Sequence, residues 1–218
     1  MIHVFDVDHT VLGGSSMRYF LLEAVKTGVV RLRQLRRLPL AWLKYKLGRP
    51  DFDFIARAVE LLPGIAEDDL RRVARASFEK GMRRDIYPGA ARLIREALAK
   101  GEKVVFASAS LDVAIEPLKR FLGVEDSLAC RLEFAGGKTT GRLLGQSPFG
   151  PGKRDAVKEW MERRGLDPGG ASFYSDSYAD IPLLEFCGRQ VAVNPDRRLA
   201  KTARRRGWEI VHFRKDKR

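Results

Sequence analysis

The chain has 218 residues, 44% of them hydrophobic and 32% charged, a balance that supports a globular core and excludes intrinsic disorder. Its apolar runs fall far short of the roughly 20 residues that cross a bilayer, and no leader-like segment precedes the first strand, so a cytoplasmic protein is expected. The 41 Lys and Arg against 28 Asp and Glu leave a net charge of +13, which predicts attraction to anions: nucleic acid, anionic lipid or a phosphorylated substrate.

That charge is uneven. Residues 24–50 hold eight basic side chains and no acidic one, and residues 197–218 hold ten basic against two acidic. The two cysteines, Cys130 and Cys187, have no His or Cys partner at zinc spacing and read as buried thiols.

In chain order, residues 2–6 read as a buried strand running into Asp8-His9-Thr10 and the Gly13-Gly14 turn. A helix follows, capped by Ser15 or Ser16 and ended by Gly28. The basic segment then carries Leu32, Leu35, Leu38, Leu43 and Leu47 near helical spacing, with Pro39 as a break. Residues 51–62 and 67–84 predict two more helices separated by Pro63-Gly64, so 15–85 is expected to be all helix.

After Tyr87-Pro88-Gly89 the pattern alternates. A helix over 90–100 leads to a strand over 103–108, with Ser110 as the cap of the next helix, 111–122. Runs 128–134 and 138–144, joined by Gly136-Gly137, predict a hairpin. A helix begins near Lys153, a strand over 171–175 runs into Asp176, and strand 190–193, helix 196–206 and strand 208–212 follow. The last charged residues read as a frayed, solubilising end. Strand alternating with helix predicts an α/β fold with an open, doubly wound, Rossmann-like parallel sheet. The expected division is an α/β core of 1–14 and 86–218 with an inserted helical cap of 15–85.

Ligands of such sheets bind beyond the carboxyl ends of the strands. Those ends supply Asp6, Asp8 and Thr10, then Ser108, then Asp176 and Asp180, while Lys153 opens a helix. Close carboxylates repel unless a hard cation lies among them. The ammonium, the hydroxyls and N–H groups at helix starts suit an anionic oxyacid. The combined set points to a metal plus a phosphate. The three histidines read as structural, although His9, at the variable position of the first motif, stands where it could touch substrate.

This constellation, Asp6-x-Asp8-x-Thr10-Val-Leu, Ser108, Lys153 and Asp176-x-x-x-Asp180, resembles the haloacid dehalogenase superfamily of phosphohydrolases. The long insertion after the first motif is similar to the subfamily that contains phosphoserine phosphatase. The resemblance implies Mg2+ as cofactor and a phosphate monoester as substrate. It implies Asp6 as nucleophile, forming an aspartyl phosphate, and Asp8 as the acid that protonates the leaving oxygen and the base that then activates water. Thr10, Ser108, the backbone N–H of Ala109 and Lys153 would bind the phosphoryl group. The metal would be held by Asp6, the Asp8 backbone carbonyl and Asp176, with Asp180 at or just behind it.

The acidic residue that pairs with the substrate amino group in phosphoserine phosphatases is absent; Ser15 stands there. A substrate other than phosphoserine is therefore expected, either a small anionic phosphate or a lipid phosphate. Trp42, Tyr45 and the leucines beside Lys44 and Lys46 would let the basic cap touch an anionic membrane. No nucleic-acid motif is present, and no nucleic-acid partner is expected. The alternative is a silent anion- or membrane-binding module on the same scaffold, which would have no need of Asp6 and Asp8 together.

Overall fold

The computed structural model describes residues 1–31, 59–60, 62–145 and 148–215. Most of the basic segment, with its leucines and aromatic residues, and most of the helix expected over 51–62 lie outside these residues. Strands β1 (Ile2–Phe5), β2 (Lys103–Leu111), β3 (Asp126–Ala135), β4 (Lys138–Leu144), β5 (Ala171–Ser175), β6 (Arg189–Val193) and β7 (Glu209–Val211) form one sheet, ordered β4-β3-β2-β1-β5-β6-β7. Every neighbouring pair is parallel except the β3–β4 hairpin. This is the expected mostly parallel, Rossmann-like α/β fold.

The central strands are apolar on both faces, as a sheet covered by helices on both sides requires. Ile2, Val4, Val105, Ala107 and Phe173 pack against Val157, Trp160, Leu183 and Leu199, which α5 (Pro151–Glu162), α6 (Ile181–Phe186) and α7 (Arg197–Arg206) bring to one side. Phe5, Phe106 and Tyr174 face the other side, where α3 (Pro88–Ala99) and α4 (Asp112–Leu122) lay down Ile94, Ile115 and Leu118. Each such fully buried side chain contributes roughly 1.5–3 kcal/mol.

The described residues of 15–85 hold the helices α1 (Ser16–Lys26), with Ser15 as its cap, and α2 (Glu67–Ser77). They are not all helix, because residues 64–66 pair with β4: Ala66 bridges Lys138, and Thr139 N–H donates to Ile65 O (2.9 Å). Phe20, Ala24, Leu70, Val73, Phe78 and Met82 of this insertion join the same apolar cluster as the α3 side of the sheet. The single helix expected over 67–84 is instead interrupted by a π-helical turn, Phe78–Met82. Gly81 lies in this turn, where a Cβ would lie 2.4 Å from Tyr19 Cδ1. The bare glycine leaves room for the Tyr19 ring to approach the backbone of this turn.

Two chain crossings connect insertion and sheet, and they are paired: Leu12 bridges Ile86, Gly13 N–H donates to Asp85 O (2.7 Å) and Tyr87 N–H to Val11 O (2.9 Å). The frayed end expected after β7 is corrected over residues 212–215. Phe213 lies against Tyr87 and Gly89, Asn194 Nδ2 donates to Phe213 O (3.1 Å) and Lys215 pairs with Asp85. The tail has an apolar ring and a buried carboxylate to pack on, which outweighs its local charge. Cys130 and Cys187 are both buried, as expected. Among the described residues, no helix is long and apolar enough to cross a membrane.

Candidate active site

The register of the three central strands builds the site. Phe5 pairs with Phe106 and Tyr174, so the chain leaves β1, β2 and β5 at one level. Asp6 N–H still donates to Tyr174 O (2.9 Å), so the first carboxylate is fixed by the last rung of the sheet. Asp6, Ser108 and Asp180 are buried, Asp176 is half-buried, and Thr10 has no exposed surface.

Lys153, from the first turn of α5, supplies the cation. Its Nζ donates to Asp6 Oδ1 and Asp180 Oδ2, each at 2.8 Å, and the residue is only 4% exposed. Asp180 Oδ2 also accepts from Ser175 Oγ (2.6 Å). The Thr10 hydroxyl lies between the other carboxylates, 3.5 Å from Asp6 Oδ2 and 3.3 Å from Asp176 Oδ1.

Three carboxylates thus share one ammonium in a place with little water. Burial pushes the Asp6 carboxyl up to about 7, with Lys153 opposing and Asp180 and Asp8 adding to the rise. Burial, then Asp6 and Asp180, raise the Asp176 carboxyl well above its usual range. Burial by itself would lower the Lys153 ammonium, but Asp180 and Asp6 reverse that and raise it. Among the described residues no three His, Cys, Asp or Glu side chains form a ready metal cage. What the site offers is two carboxylates, Asp6 and Asp176, with charge left over after Lys153. That suits a magnesium-like ion, which keeps several waters and takes one or two protein carboxylates plus substrate oxygens.

Asp8 is half-buried and stands apart from this cluster's hydrogen bonds. Its Oδ1 accepts from Ser16 N–H (2.8 Å), and its Oδ2 from Ser15 Oγ (3.0 Å) and Ser110 Oγ (3.3 Å). His9 is exposed, with a left-handed backbone (φ 60°) at the turn between Asp8 and Thr10. Ser108 Oγ accepts from Ser110 N–H (3.1 Å), and Ala109 O accepts from Cys130 Sγ (3.2 Å).

The expectation that Ser110 caps the following helix is corrected. Strand β2 runs on to Leu111, paired with Cys130, and α4 starts at Asp112 with Leu111 as an N-cap that makes no side-chain bond. The Ser110 hydroxyl points to Asp8 and Ser16 instead. Sequence reasoning also assigned no role to Ser175 or Asp196. The only signal for Ser175 was a hydroxyl at a strand's carboxyl end. Asp196 caps α7 through Arg198 and Leu199 N–H, and it also accepts from Tyr178 N–H (2.8 Å) in the loop between Asp176 and Asp180.

A family model described as haloacid dehalogenase-like hydrolase matches residues 3–185. A protein named phosphoserine phosphatase SerB1, from Mycobacterium tuberculosis, is 32% identical over 215 residues, covering 96% of this chain and 70% of its own length. One named histidinol-phosphatase, from Neisseria meningitidis, is 26% identical over 216 residues, with coverages of 96% and 97%. Among solved structures, a protein of unknown function from Bordetella pertussis superposes with a TM-score of 0.87 at 28% identity, covering 96% of this chain and 97% of the other. A substrate-bound phosphoserine phosphatase shares the fold, with a TM-score of 0.70 at 20% identity and coverages of 99% and 93%.

Proposed function

The chain belongs to the haloacid dehalogenase-like hydrolase family, and within it we propose a magnesium-dependent phosphatase that cleaves a phosphate monoester through an aspartyl phosphate on Asp6. The observation that carries this reading is the buried bridge of Lys153 to Asp6 and Asp180, with Thr10 and Asp176 beside it at the carboxyl ends of the central strands. A passive binding module has no use for an arrangement that keeps three carboxylates around one ammonium. Phosphatase names among relatives that span nearly this whole chain point the same way.

In this reading Asp6 attacks phosphorus while Lys153 and the hydroxyl of Thr10 hold its carboxylate in place. The Ser108 hydroxyl and the Ala109 N–H take phosphoryl oxygens. As the ester P–O bond breaks, Asp8 gives its proton to the leaving oxygen. It then takes a proton from the water that attacks the aspartyl phosphate, which releases inorganic phosphate and restores Asp6. Asp6 and Asp176, with the Asp8 backbone carbonyl, are the residues that would hold the magnesium ion, and when bound it supplies positive charge against the phosphoryl oxygens. Asp180 serves this set by fixing Lys153, assisted by Ser175.

The substrate is a small-molecule phosphomonoester. Relatives with different substrate names do not choose among such molecules, and Ser15 in place of an acidic residue argues against a free amino acid. The use of only two cysteines, both buried, suits a reducing, cytoplasmic setting. The test is phosphate release from phosphoserine, histidinol phosphate, sugar phosphates, nucleotides, glycerol phosphate and lysolipid phosphates, with magnesium and with an Asp6→Asn control. Magnesium-dependent release that disappears in the control is the expected result. Release that persists in Asp6→Asn would overturn the mechanism, and no release from any ester by folded, magnesium-loaded protein would overturn the activity.

A further inference from the structure

The hydroxyls around Asp8 form a directed chain. Ser110 and Ser16 are both buried, at 3% and 0% exposure, and their Oγ atoms lie 2.6 Å apart. Ser110 Oγ has one proton and two neighbours, Ser16 Oγ and Asp8 Oδ2 at 3.3 Å. An ionised carboxylate only accepts, so when Ser110 donates to Asp8 the Ser16 hydroxyl must donate to Ser110. Both buried hydroxyls are then satisfied by one order, from Ser16 to Ser110 to Asp8.

The same residue faces the other way through its backbone, because Ser110 N–H donates to Ser108 Oγ (3.1 Å). Ser110 therefore joins the hydroxyl read as a phosphoryl ligand, the carboxyl read as the acid and, through Ser16, the first turn of the inserted helix α1. A serine buried at this depth is costly unless its hydroxyl is bonded. Local structure does not require it, since α4 takes no cap from it.

We propose that Ser110, with Ser16 behind it, is a positioning residue that aims the Asp8 carboxyl at the leaving-group oxygen while its backbone fixes Ser108. The inference rests on the reading of Asp8 as the acid. During phosphoryl transfer the P–O bond to the leaving group breaks as the Asp8 O–H proton passes to that oxygen. Ser110 exchanges no proton with the substrate; it sets the angle from which Asp8 delivers one.

The test compares leaving groups. Glycerol phosphate has an alkoxide leaving group that needs a proton, whereas 4-nitrophenyl phosphate releases a stable anion that does not. For Ser110→Ala with magnesium present, kcat/KM for glycerol phosphate should fall about 2- to 10-fold, as expected for a lost hydrogen bond to the protonated carboxyl that acts as the acid, and far less for 4-nitrophenyl phosphate. Ser16→Ala should move the ratio of the two in the same direction by a smaller factor, because the Ser16 N–H still holds Asp8. It carries the test if Ser110→Ala fails to fold. Asp8→Asn separates the two levels of the argument. If it leaves the ratio unchanged, Asp8 is not the acid and the mechanism above fails. If it shifts the ratio and neither serine variant does, Asp8 is the acid and the role given to Ser110 is wrong. An equal loss with both esters in the serine variants also overturns the proposal, since that is what general loosening would cause.

Discussion

Replacing Lys153 with methionine tests the electrostatic core of the site. The side chain is 4% exposed and lies 2.8 Å from each of Asp6 Oδ1 and Asp180 Oδ2. Methionine fills a similar volume but leaves two buried carboxylates without their shared cation, a loss of about 3–5 kcal/mol. For a chain of this length that lowers Tm by roughly 6–20 °C. The size should depend on pH. Burial pushes the Asp6 carboxyl from 3.8 up to about 7, so the folded chain keeps a proton that the unfolded chain releases. The stability this group contributes is complete below its unfolded value and is lost as pH rises towards the folded one, by about 1.4 kcal/mol per pH unit. Without Lys153 the carboxyl rises further and the loss continues past pH 7. Thermal melts of metal-free wild type and Lys153→Met at pH 5 and pH 8 should show a gap that widens with pH. An equal gap at both pH values, or none at pH 8, would refute the assignment of Lys153 as the cation that the buried carboxylates need.

Three further outcomes are expected. Magnesium should raise the Tm of the metal-free protein at pH 8, by the equivalent of about 2.7 kcal/mol at a hundredfold excess over Kd, and Asp176→Asn should remove that rise; a rise that survives takes Asp176 out of the donor set. Gly188→Ala should lower Tm by roughly 2–12 °C, because its Cβ would lie 2.0 Å from the Gly169 carbonyl oxygen and backbone would meet backbone. An unchanged melt would show that this crossing is looser than it looks. Burial pushes the Cys187 thiol up to about 12, so peptide mapping after alkylation at pH 8 should find it unlabelled in native protein and labelled in urea. Rapid labelling of the native chain would contradict the packing around α6.

The sheet was legible because its strands are short apolar runs that end in chemistry-bearing residues, and burial on both faces leaves such runs few alternatives. Strand β5 matches its expected span residue for residue, and Lys153 opens its helix as expected. What could not be read were choices made by contacts distant in sequence. A serine before a helix is a sound cap prediction by local chemistry, yet Ser110 stays in β2 because Leu111 beyond it pairs with Cys130 of β3, and its hydroxyl is claimed by Asp8 and Ser16. The regular helix expected through Phe78 widens into a π-helical turn, and Gly81 in that turn leaves room for Tyr19, some sixty positions earlier, which no local pattern announces.

The tail makes the same point with charge. Lys215 belongs to a run that by composition should fray, but it reaches Asp85, which also accepts from Tyr19 Oη (2.8 Å). Asp85 stands where the insertion rejoins the sheet, with its carbonyl bonded to Gly13 N–H at the outgoing crossing. One buried carboxylate thus collects a cation from the C-terminus and a phenol from α1 at the point where both crossings meet. A buried charge must be paired, and Lys215, whose side chain stays half in water, supplies that pair by ordering the residues that carry it. Order in the last described residues therefore follows from the needs of a residue 130 positions away, which no local reading of Arg214 and Lys215 contains.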